Sequence, residues 1–270
     1  MSKVTVIIPT YNRADKIENS IKSVLGQIYE DFTLIVVDDC SSDNTEDVVR
    51  SIGDDRIIYH RLPENKGAGG ARNEGAYLAE TEYIAFQDSD DIWLPDKLDK
   101  QIKYMEDNPD VGLVYGKMKV ISPEKTYEFP NESVSGDLEG DIFSWLLRRN
   151  SIGTPVMFIK KKCFDEAGGF DTSLRCLEDW EFAIRFSKKF KIGYIDEVLI
   201  DSYLSEGGVS RNIGAYYETR CRILAMYKDE IIGSGMFDEV VSDIFTRAEK
   251  SGVLVPVQKM LMSYLSEQSK

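Results

Sequence analysis

Only one histidine, His60, occurs in the 270 residues of this chain. That scarcity removes the Ser-His-Asp constellation, the H-E-x-x-H metal site and most zinc centres. His60 falls in Arg56–Arg61, a stretch of strand character, and reads there as structural. The G-x-x-x-x-G-K-[ST] phosphate loop is absent, which excludes a P-loop nucleotide site. No apolar run approaches the roughly 20 residues that span a bilayer. Four cysteines, Cys40, Cys163, Cys176 and Cys221, lie far apart with no C-x-x-C pair. They predict reduced thiols in a cytosolic protein rather than a disulfide framework. The opening Met-Ser-Lys-Val-Thr-Val-Ile-Ile-Pro enters a strand at once without a signal-peptide pattern, so a soluble chain is expected.

Positive charge is scarce too. Lys and Arg number 33 against 47 Asp and Glu, a formal net charge of −14. That balance disfavours nucleic acid and anionic membranes as partners. An anionic substrate would need local cations to overcome the overall field. The length and the 42% of hydrophobic residues suit one large α/β domain, or a domain with an appendage.

What is present is an alternation of strands and helices. Val4–Pro9 is an apolar strand, and Ala14–Leu25 is a helix with Ile17, Ile21, Val24 and Leu25 on one face. Phe32–Asp38 is a second strand. Asp43 and Glu46 open a helix through Val48, Val49 and Ile52. Arg56–Arg61, a small-residue helix over Gly67–Ala79 and a strand at Tyr83–Gln87 follow. This order predicts a mostly parallel sheet with helices on both faces. A helix from Pro95 to Asn108 and a strand at Val111–Val120 extend it. Ser122–Gly140 is polar and predicts a loop with at most a short strand. A helix at Asp141–Arg149, a strand at Val156–Ile159 and a helix from Glu178 come next. Two late strands are expected at Ile192–Ile195 and Val198–Leu204. Residues 212–270 read as a helical appendage, broken around Gly233–Gly235 and at Pro256. Its apolar residues, among them Met226, Met236, Met260, Leu261, Met262 and Leu265, suit packing on the main domain or, alternatively, a dimer or docking surface.

The densest chemistry is at Tyr83-Ile-Ala-Phe-Gln-Asp-Ser-Asp-Asp91, a buried strand running into three carboxylates. Acids so close repel one another, so a hard divalent cation such as Mg²⁺ or Mn²⁺ suits them. An acidic turn that caps the next helix fits the same residues equally well. An EF-hand is excluded, because its sixth and twelfth positions would be Trp93 and Asp99. Ile35-Val36-Val37-Asp38-Asp39 is a second strand ending in acid. With Asp43 serving as the helix cap, Asp38 and Asp39 are left for a base or ribose. Asn65-Lys66-Gly67-Ala68-Gly69-Gly70-Ala71-Arg72-Asn73 fails as a dinucleotide fingerprint. It follows the third strand, and Arg72 stands where the last glycine belongs. Its glycines allow close backbone approach, with Arg72 aimed at a phosphate or base. Glu178-Asp179-Trp180-Glu181-Phe182 starts a helix with acids in its first turn. These either complement the helix dipole or supply a carboxylate base. Trp180, Phe182 and Phe186 are core candidates, with Trp180 the one expected to line a pocket. Gly207–Arg211 reads as a loop whose Arg211 could close over a diphosphate. Asn150-Ser-Ile-Gly-Thr-Pro155 is a turn with a weaker claim on an acceptor site.

Together these pieces resemble the family 2 inverting glycosyltransferases of the GT-A fold, a Rossmann-like α/β architecture. The match runs through Val6-Ile-Ile-Pro-Thr-Tyr-Asn12, Val36-Val-Asp-Asp39, Gly69-Gly-Ala-Arg-Asn73, Asp88-Ser-Asp-Asp91, Gly168-Gly-Phe-Asp171 and Glu178-Asp179. Each is weak alone, but six in order over residues 4–211 are specific. The resemblance implies a domain over residues 1–211 that binds a nucleotide-sugar, with Pro9, Thr10 and Tyr11 lining the base. It implies Asp39 hydrogen-bonded to that base, Arg72 beside it, and Asp88 and Ser89 near the ribose or sugar. It implies Asp90 on a Mg²⁺ or Mn²⁺ ion that binds the diphosphate, and Asp179 as the catalytic base with Glu178 beside it. One departure stands out. Many relatives place a histidine before a G-x-S segment, where this chain has Tyr203-Leu-Ser-Glu-Gly-Gly-Val-Ser210, so a histidine on the diphosphate is ruled out and Arg211 is the substitute charge.

The implied reaction is a glycosyl transfer from a nucleotide-sugar, a UDP-sugar first, to a hydroxyl of a glycan or lipid-linked acceptor. The implied place is the cytoplasm, or the inner membrane face by way of the acceptor lipid. Two rivals stay open. A sugar-1-phosphate nucleotidyltransferase would carry a Gly- and Lys/Arg-rich loop after the first strand, where this chain has Thr10-Tyr11-Asn12-Arg13. A non-catalytic nucleotide-sugar-binding protein of the same fold is opposed by the intact acids at positions 39, 88, 90 and 179.

Overall fold

A computed structural model describes residues 2–130, 138–140, 142–204 and 212–267. Strand β1 (Val4–Thr10) is buried at all of its positions, the mark of a strand covered on both faces. It pairs in parallel with β2 (Phe32–Asp38), which pairs in parallel with β3 (Ile57–Arg61). Helices α1 (Ile17–Leu25), α2 (Thr45–Ser51) and α3 (Gly67–Leu78) make the crossovers. As the spacing predicts, α1 turns Ile17, Ile21 and Val24 inward. Helix α3 approaches β1 so closely that a Cβ on Gly75 would lie 2.5 Å from Ile7 Cγ2. Only glycine fits that contact.

After α3 the chain returns to the other side of β1 as β4 (Tyr83–Phe86), again parallel. The direction of winding therefore reverses between β1 and β4. A crevice opens outside the carboxyl ends of the strands at such a point.

The second half comprises β5 (Ile92–Trp93), α4 (Lys97–Asp107), β6 (Val111–Ile121), β7 (Thr126–Phe129) and α5 (Phe143–Arg148). A 3₁₀ turn at Thr154–Val156, β8 (Phe158–Lys160), α6 (Lys161–Ala167), α7 (Glu178–Ser187) and β9 (Lys191–Tyr203) follow. The sheet order is β3-β2-β1-β4-β8-β6-β9-β5, with β7 added to β6. Beyond β4 the sheet is mixed: β8 runs antiparallel to β4 and β6, while β6 and β9 are parallel. The two expected late strands are one strand. Its register slips where Asp196 and Glu197 leave the ladder, opposite Gly116 and Lys117. The expelled acids pair with Lys117 and Lys100, both at 2.6 Å, so a polar interruption marks a bulge rather than a strand end.

Helices α8 (Ile213–Met226), α9 (Lys228–Gly233), α10 (Phe237–Lys250) and α11 (Leu254–Glu267) complete the chain. The Asn212 side chain caps α8 by accepting the Ala215 amide at 3.0 Å. The expected break near Gly235 is present, but Pro256 breaks nothing. It sits in the first turn of α11, where a missing N–H is tolerated, and the real break is at Ser251-Gly252. Tyr217, Cys221, Leu224, Ile244, Val257 and Leu261 join the same buried cluster as the sheet core. Met236 is buried there as well, whereas Met226 and Met262 are exposed. Among the described residues no helix is long and apolar enough to cross a membrane.

Candidate active site

The two acids that end β2 diverge. Asp38 is fully buried and accepts the Ser41 amide at 2.8 Å, the Tyr59 hydroxyl and the Arg61 guanidinium. It is spent on holding its own turn, which corrects the expectation that it is available to a ligand. Asp39 turns the other way and accepts the amides of Lys66 and Gly67 at 2.6 and 2.8 Å. A carboxylate there complements the first turn of α3. Burial raises the Asp39 carboxyl above its ordinary range, and the two amides oppose that rise.

The loop after β1 locks onto the loop after β2. The Asn12 amide donates to Ser41 Oγ at 2.8 Å, and Asn12 Oδ1 accepts the Ser42 amide at 2.7 Å. Asn12 and Cys40 both adopt positive φ, as does Leu177 ahead of α7. Non-glycine residues in that region mark backbone held against its preference, and such positions gather at functional sites.

The turn after β4 is equally fixed. The Asp88 carbonyl accepts Ser20 Oγ at 2.8 Å, and the Asp91 carbonyl accepts Gln87 Nε2 at 2.7 Å. Asp91 is buried and accepts the Tyr203 amide at 3.0 Å, tying the end of β9 to this turn. Burial, then the charge of Asp88, pushes its carboxyl well above the usual range. Asp90 lies 3.9 Å from the Arg13 guanidinium.

Arg72, on the first half of α3, is buried between two carboxylates. It donates to Asp88 Oδ1 and Glu178 Oε1, each at 2.7 Å. The neighbouring Asn73 exchanges two hydrogen bonds of 2.9 Å with the backbone of Phe170. The Gly-Gly-Ala-Arg-Asn and Gly-Gly-Phe-Asp segments are thereby joined. Asp179 follows Glu178 on the first turn of α7, half-buried. Its Oδ1 accepts the Trp180 amide at 2.7 Å and faces Asn150 Nδ2 at 3.4 Å. Burial and then the adjacent Glu178 charge push the Asp179 carboxyl up to about 7.

These groups surround one hollow of about 890 Å³, within the range of small-molecule sites. Pro9, Thr10, Tyr11 and Asp39 line one part of it, and Asp88, Ser89 and Asp90 another. Arg72, Glu178 and Asp179 complete the set brought together from distant parts of the chain. Two buried polar atoms on its wall, Thr10 Oγ1 and Arg72 Nε, have no hydrogen-bond partner among the described residues. No three His, Cys, Asp or Glu side chains among the described residues converge as a closed metal cage.

The family model for glycosyl transferase family 2 matches residues 5–166. The chain belongs to that family.

This family 2 chain is 44% identical over 119 residues to an Escherichia coli protein named UDP-Glc:α-D-GlcNAc-diphosphoundecaprenol β-1,3-glucosyltransferase WfgD. That match covers 44% of the chain and 47% of WfgD. The chain spans 28 to 61% of the length of several uncharacterized glycosyltransferases from Haemophilus influenzae and Rickettsia species. Among solved structures, Staphylococcus aureus TarS 1-349 in complex with UDP-GlcNAc superposes with a TM-score of 0.75 at 22% identity. It covers 98% of this chain and 80% of that one. The mannosyltransferase PcManGT of Pyrobaculum calidifontis, solved with GDP-Man and Mn²⁺, gives a TM-score of 0.66 at 18% identity. That superposition covers 99% of this chain and 84% of PcManGT. Both likenesses establish the fold as that of GT-A glycosyltransferases.

Not every expected site residue of this family 2 chain lies on the hollow. Trp180 does not: it is buried, and its Nε1 donates to the Leu146 carbonyl at 2.6 Å. As the third residue of α7 it points into the core while Glu178 and Asp179 point out. Arg211 falls outside the described residues, as does the whole of the Gly207–Arg211 loop. Others went unread in the sequence. Arg13, Lys66, Arg175, Tyr203 and Tyr216 all line the hollow. The turn at Asn150–Pro155 does reach it, through Thr154 and through Asn150 beside Asp179.

Proposed function

We propose that this chain transfers a sugar from a nucleotide-sugar to a hydroxyl of a glycan or lipid-linked acceptor, inverting the anomeric carbon. One observation carries the reading. A half-buried carboxyl raised to about 7, Asp179, shares a hollow with the strand-end acids Asp39, Asp88 and Asp90. A neutral hydroxyl is a poor nucleophile, and a positioned base is worth roughly 10²–10⁴-fold. Asp179 takes the hydroxyl proton as the oxygen bonds to the anomeric carbon. The bond from that carbon to the phosphate oxygen breaks, and its electron pair leaves with the nucleoside diphosphate. One base and one displacement give inversion without a covalent sugar intermediate.

Donor binding falls to the strand ends. Tyr11 is 48% exposed on the hollow and offers a ring face to the nucleobase, with Pro9 and Thr10 beneath it. Asp39 accepts from the base, while Asp88 and Ser89 reach the ribose and sugar. The UDP-GlcNAc in complex with TarS 1-349 and the UDP-Glc in the WfgD name support a UDP-sugar. The diphosphoundecaprenol in the WfgD name supports a lipid-linked acceptor.

The donor set fits a divalent cation. Asp90, with Asp88 two residues away, presents hard oxygens, and because no three acids among the described residues converge on one point, coordination positions are left for phosphate oxygens. Mg²⁺ and Mn²⁺ favour that arrangement, and the Mn²⁺ of PcManGT supports it. Such an ion would stabilise the charge that gathers on the leaving diphosphate.

The deciding experiment is UDP release from a panel of UDP-sugars, with and without Mn²⁺ and acceptor. Wild type releases UDP and D179N does not, although D179N still binds the donor. Full transfer by folded D179N would remove Asp179 as the base.

A further inference from the structure

Four cations among the described residues line the hollow, and three of them are already engaged. Arg72 is held between Asp88 and Glu178, Arg13 lies by Asp90, and Lys66 lies 3.5 Å from Glu74. The fourth, Arg175, is exposed, lines the hollow, and forms no ion pair among the described residues. No carboxylate among the described residues pairs with its guanidinium, although the chain has a net charge of −14. Its five donors match the oxygens of a phosphate in pairs.

The backbone around Arg175 is built to hold it. Asp171 Oδ1 accepts the Ser173 amide at 2.9 Å, closing a turn. From α8, Arg222 donates to the Ser173 carbonyl and hydroxyl at 2.9 and 3.0 Å. Leu174 and Cys176, on either side of Arg175, are buried, so the loop is pinned on both flanks while Arg175 projects. The family match ends at residue 166, so this wall and its brace lie beyond the matched part.

Arg175 stands four residues before Asp179, at the exposed rim, with the base deeper in the hollow. The acceptor hydroxyl must reach the base. An anion read at the rim is therefore carried on the far side of the acceptor sugar, away from the reacting hydroxyl. The same hollow also has an apolar lining, with Tyr203 45% exposed and Leu204 and Tyr216 contributing to it. Resting on the glycosyl-transfer reading, we infer that Arg175 recognises a phosphate joined to the acceptor sugar, with the attached chain lying over Tyr203 and Tyr216. The helical extension then serves the reaction by bracing the acceptor wall through Arg222.

The test uses the full chain, a UDP-sugar, Mn²⁺ and three acceptors with the same sugar ring. One carries an alkyl diphosphate, one a neutral alkyl group, and one an alkyl group with the ring 6-position oxidised to a carboxylate. Wild type should favour the diphosphate acceptor. A charge-assisted hydrogen bond is worth about 1.5–3 kcal/mol, so R175A should lower kcat/KM for it by about tenfold to a hundredfold. The neutral acceptor should be nearly unaffected, and R175K should recover part of the loss. An equal loss on all three acceptors, a preference for the carboxylate, or weaker UDP binding by R175A would overturn the inference while leaving glycosyl transfer standing. Wild type that neither transfers to any acceptor nor releases UDP would overturn both.

Discussion

Arg72 and Glu178, 106 residues apart in the chain, meet at 2.7 Å in the wall of the hollow. The same guanidinium holds Asp88 at the same distance. Of two adjacent acids on α7, one therefore carries an ion pair, and the other, Asp179, carries none among the described residues. Neighbouring carboxyls in unlike environments divide the roles of charge and proton carrier. The pairing decides which acid does which.

Arg72→Gln should be severe for folding as well as for binding. Removing one partner of a buried ion pair leaves an uncompensated charge and costs about 3–5 kcal/mol. Here two carboxylates lose their partner at once. Urea denaturation should show that loss, and the double variant R72Q/E178Q should regain part of it. A loss below about 1 kcal/mol would mean that solvent already screens the pair.

The raised carboxyl of Asp179 sets a pH dependence with a definite sign. A base must be ionised to accept a proton, so kcat/KM should rise with pH through about 7 and then level off. Stability should run the other way. The folded state keeps the proton to about 7 and the unfolded chain only to about 3.9, so folded protein loses stability as pH rises between them. D179N removes that penalty and should melt higher at pH 8, by about 2–4 °C for each kcal/mol recovered, with no gain at pH 4. A thermal melt at the two pH values reads it directly.

Much of this was legible in the sequence. Unbroken apolar runs gave β1, β2 and β4, because strands covered on both faces have no polar alternation. Acids placed directly after such runs marked the ligand edge of the sheet. Facing was harder to read. Asp38 and Asp39 are neighbours on one strand end, and only the positions of Tyr59, Arg61 and the α3 amides decide which is spent on the turn. The same holds for Trp180, whose inward course follows from how α7 begins, at a Leu177 held at φ 57°. Strand β5 has two residues and exists only because β9 lies beside it. Arg175 carries no motif, and its meaning comes from having no carboxylate partner among the described residues, where Arg13, Lys66 and Arg72 each have one.

The contact between α3 and β1 gives a test outside the chemistry. A Cβ on Gly75 would press on Ile7 Cγ2 and on Val37 Cγ2, at 2.5 and 3.1 Å. Overpacking of this kind costs typically 1–3 kcal/mol, against at most 1 kcal/mol of gain from replacing glycine within a helix. Gly75→Ala should therefore destabilise. Because α3 carries Arg72, donor affinity should fall with it. Unchanged denaturation and donor binding would show that the helix can shift at no cost.

Metal removal should act on donor binding before it acts on the fold. The described acids form no closed cage, so the ion's coordination shell is completed by the donor's phosphates. A ligand that binds only the folded state raises its melting temperature, by about 2.7 kcal/mol of stability at a hundredfold excess over Kd. UDP-sugar should accordingly shift wild-type melting much further with Mn²⁺ than with EDTA. Asp90→Asn should lose the metal-dependent part and keep the rest. Its own melting temperature without ligand should move less than that of R72Q, because the contact with Arg13, at 3.9 Å and partly solvated, is weak. Relief of the repulsion among Asp88, Asp90 and Asp91 offsets that loss. If D90N keeps the full Mn²⁺-dependent shift, the ion is held elsewhere and the acid turn is only a turn.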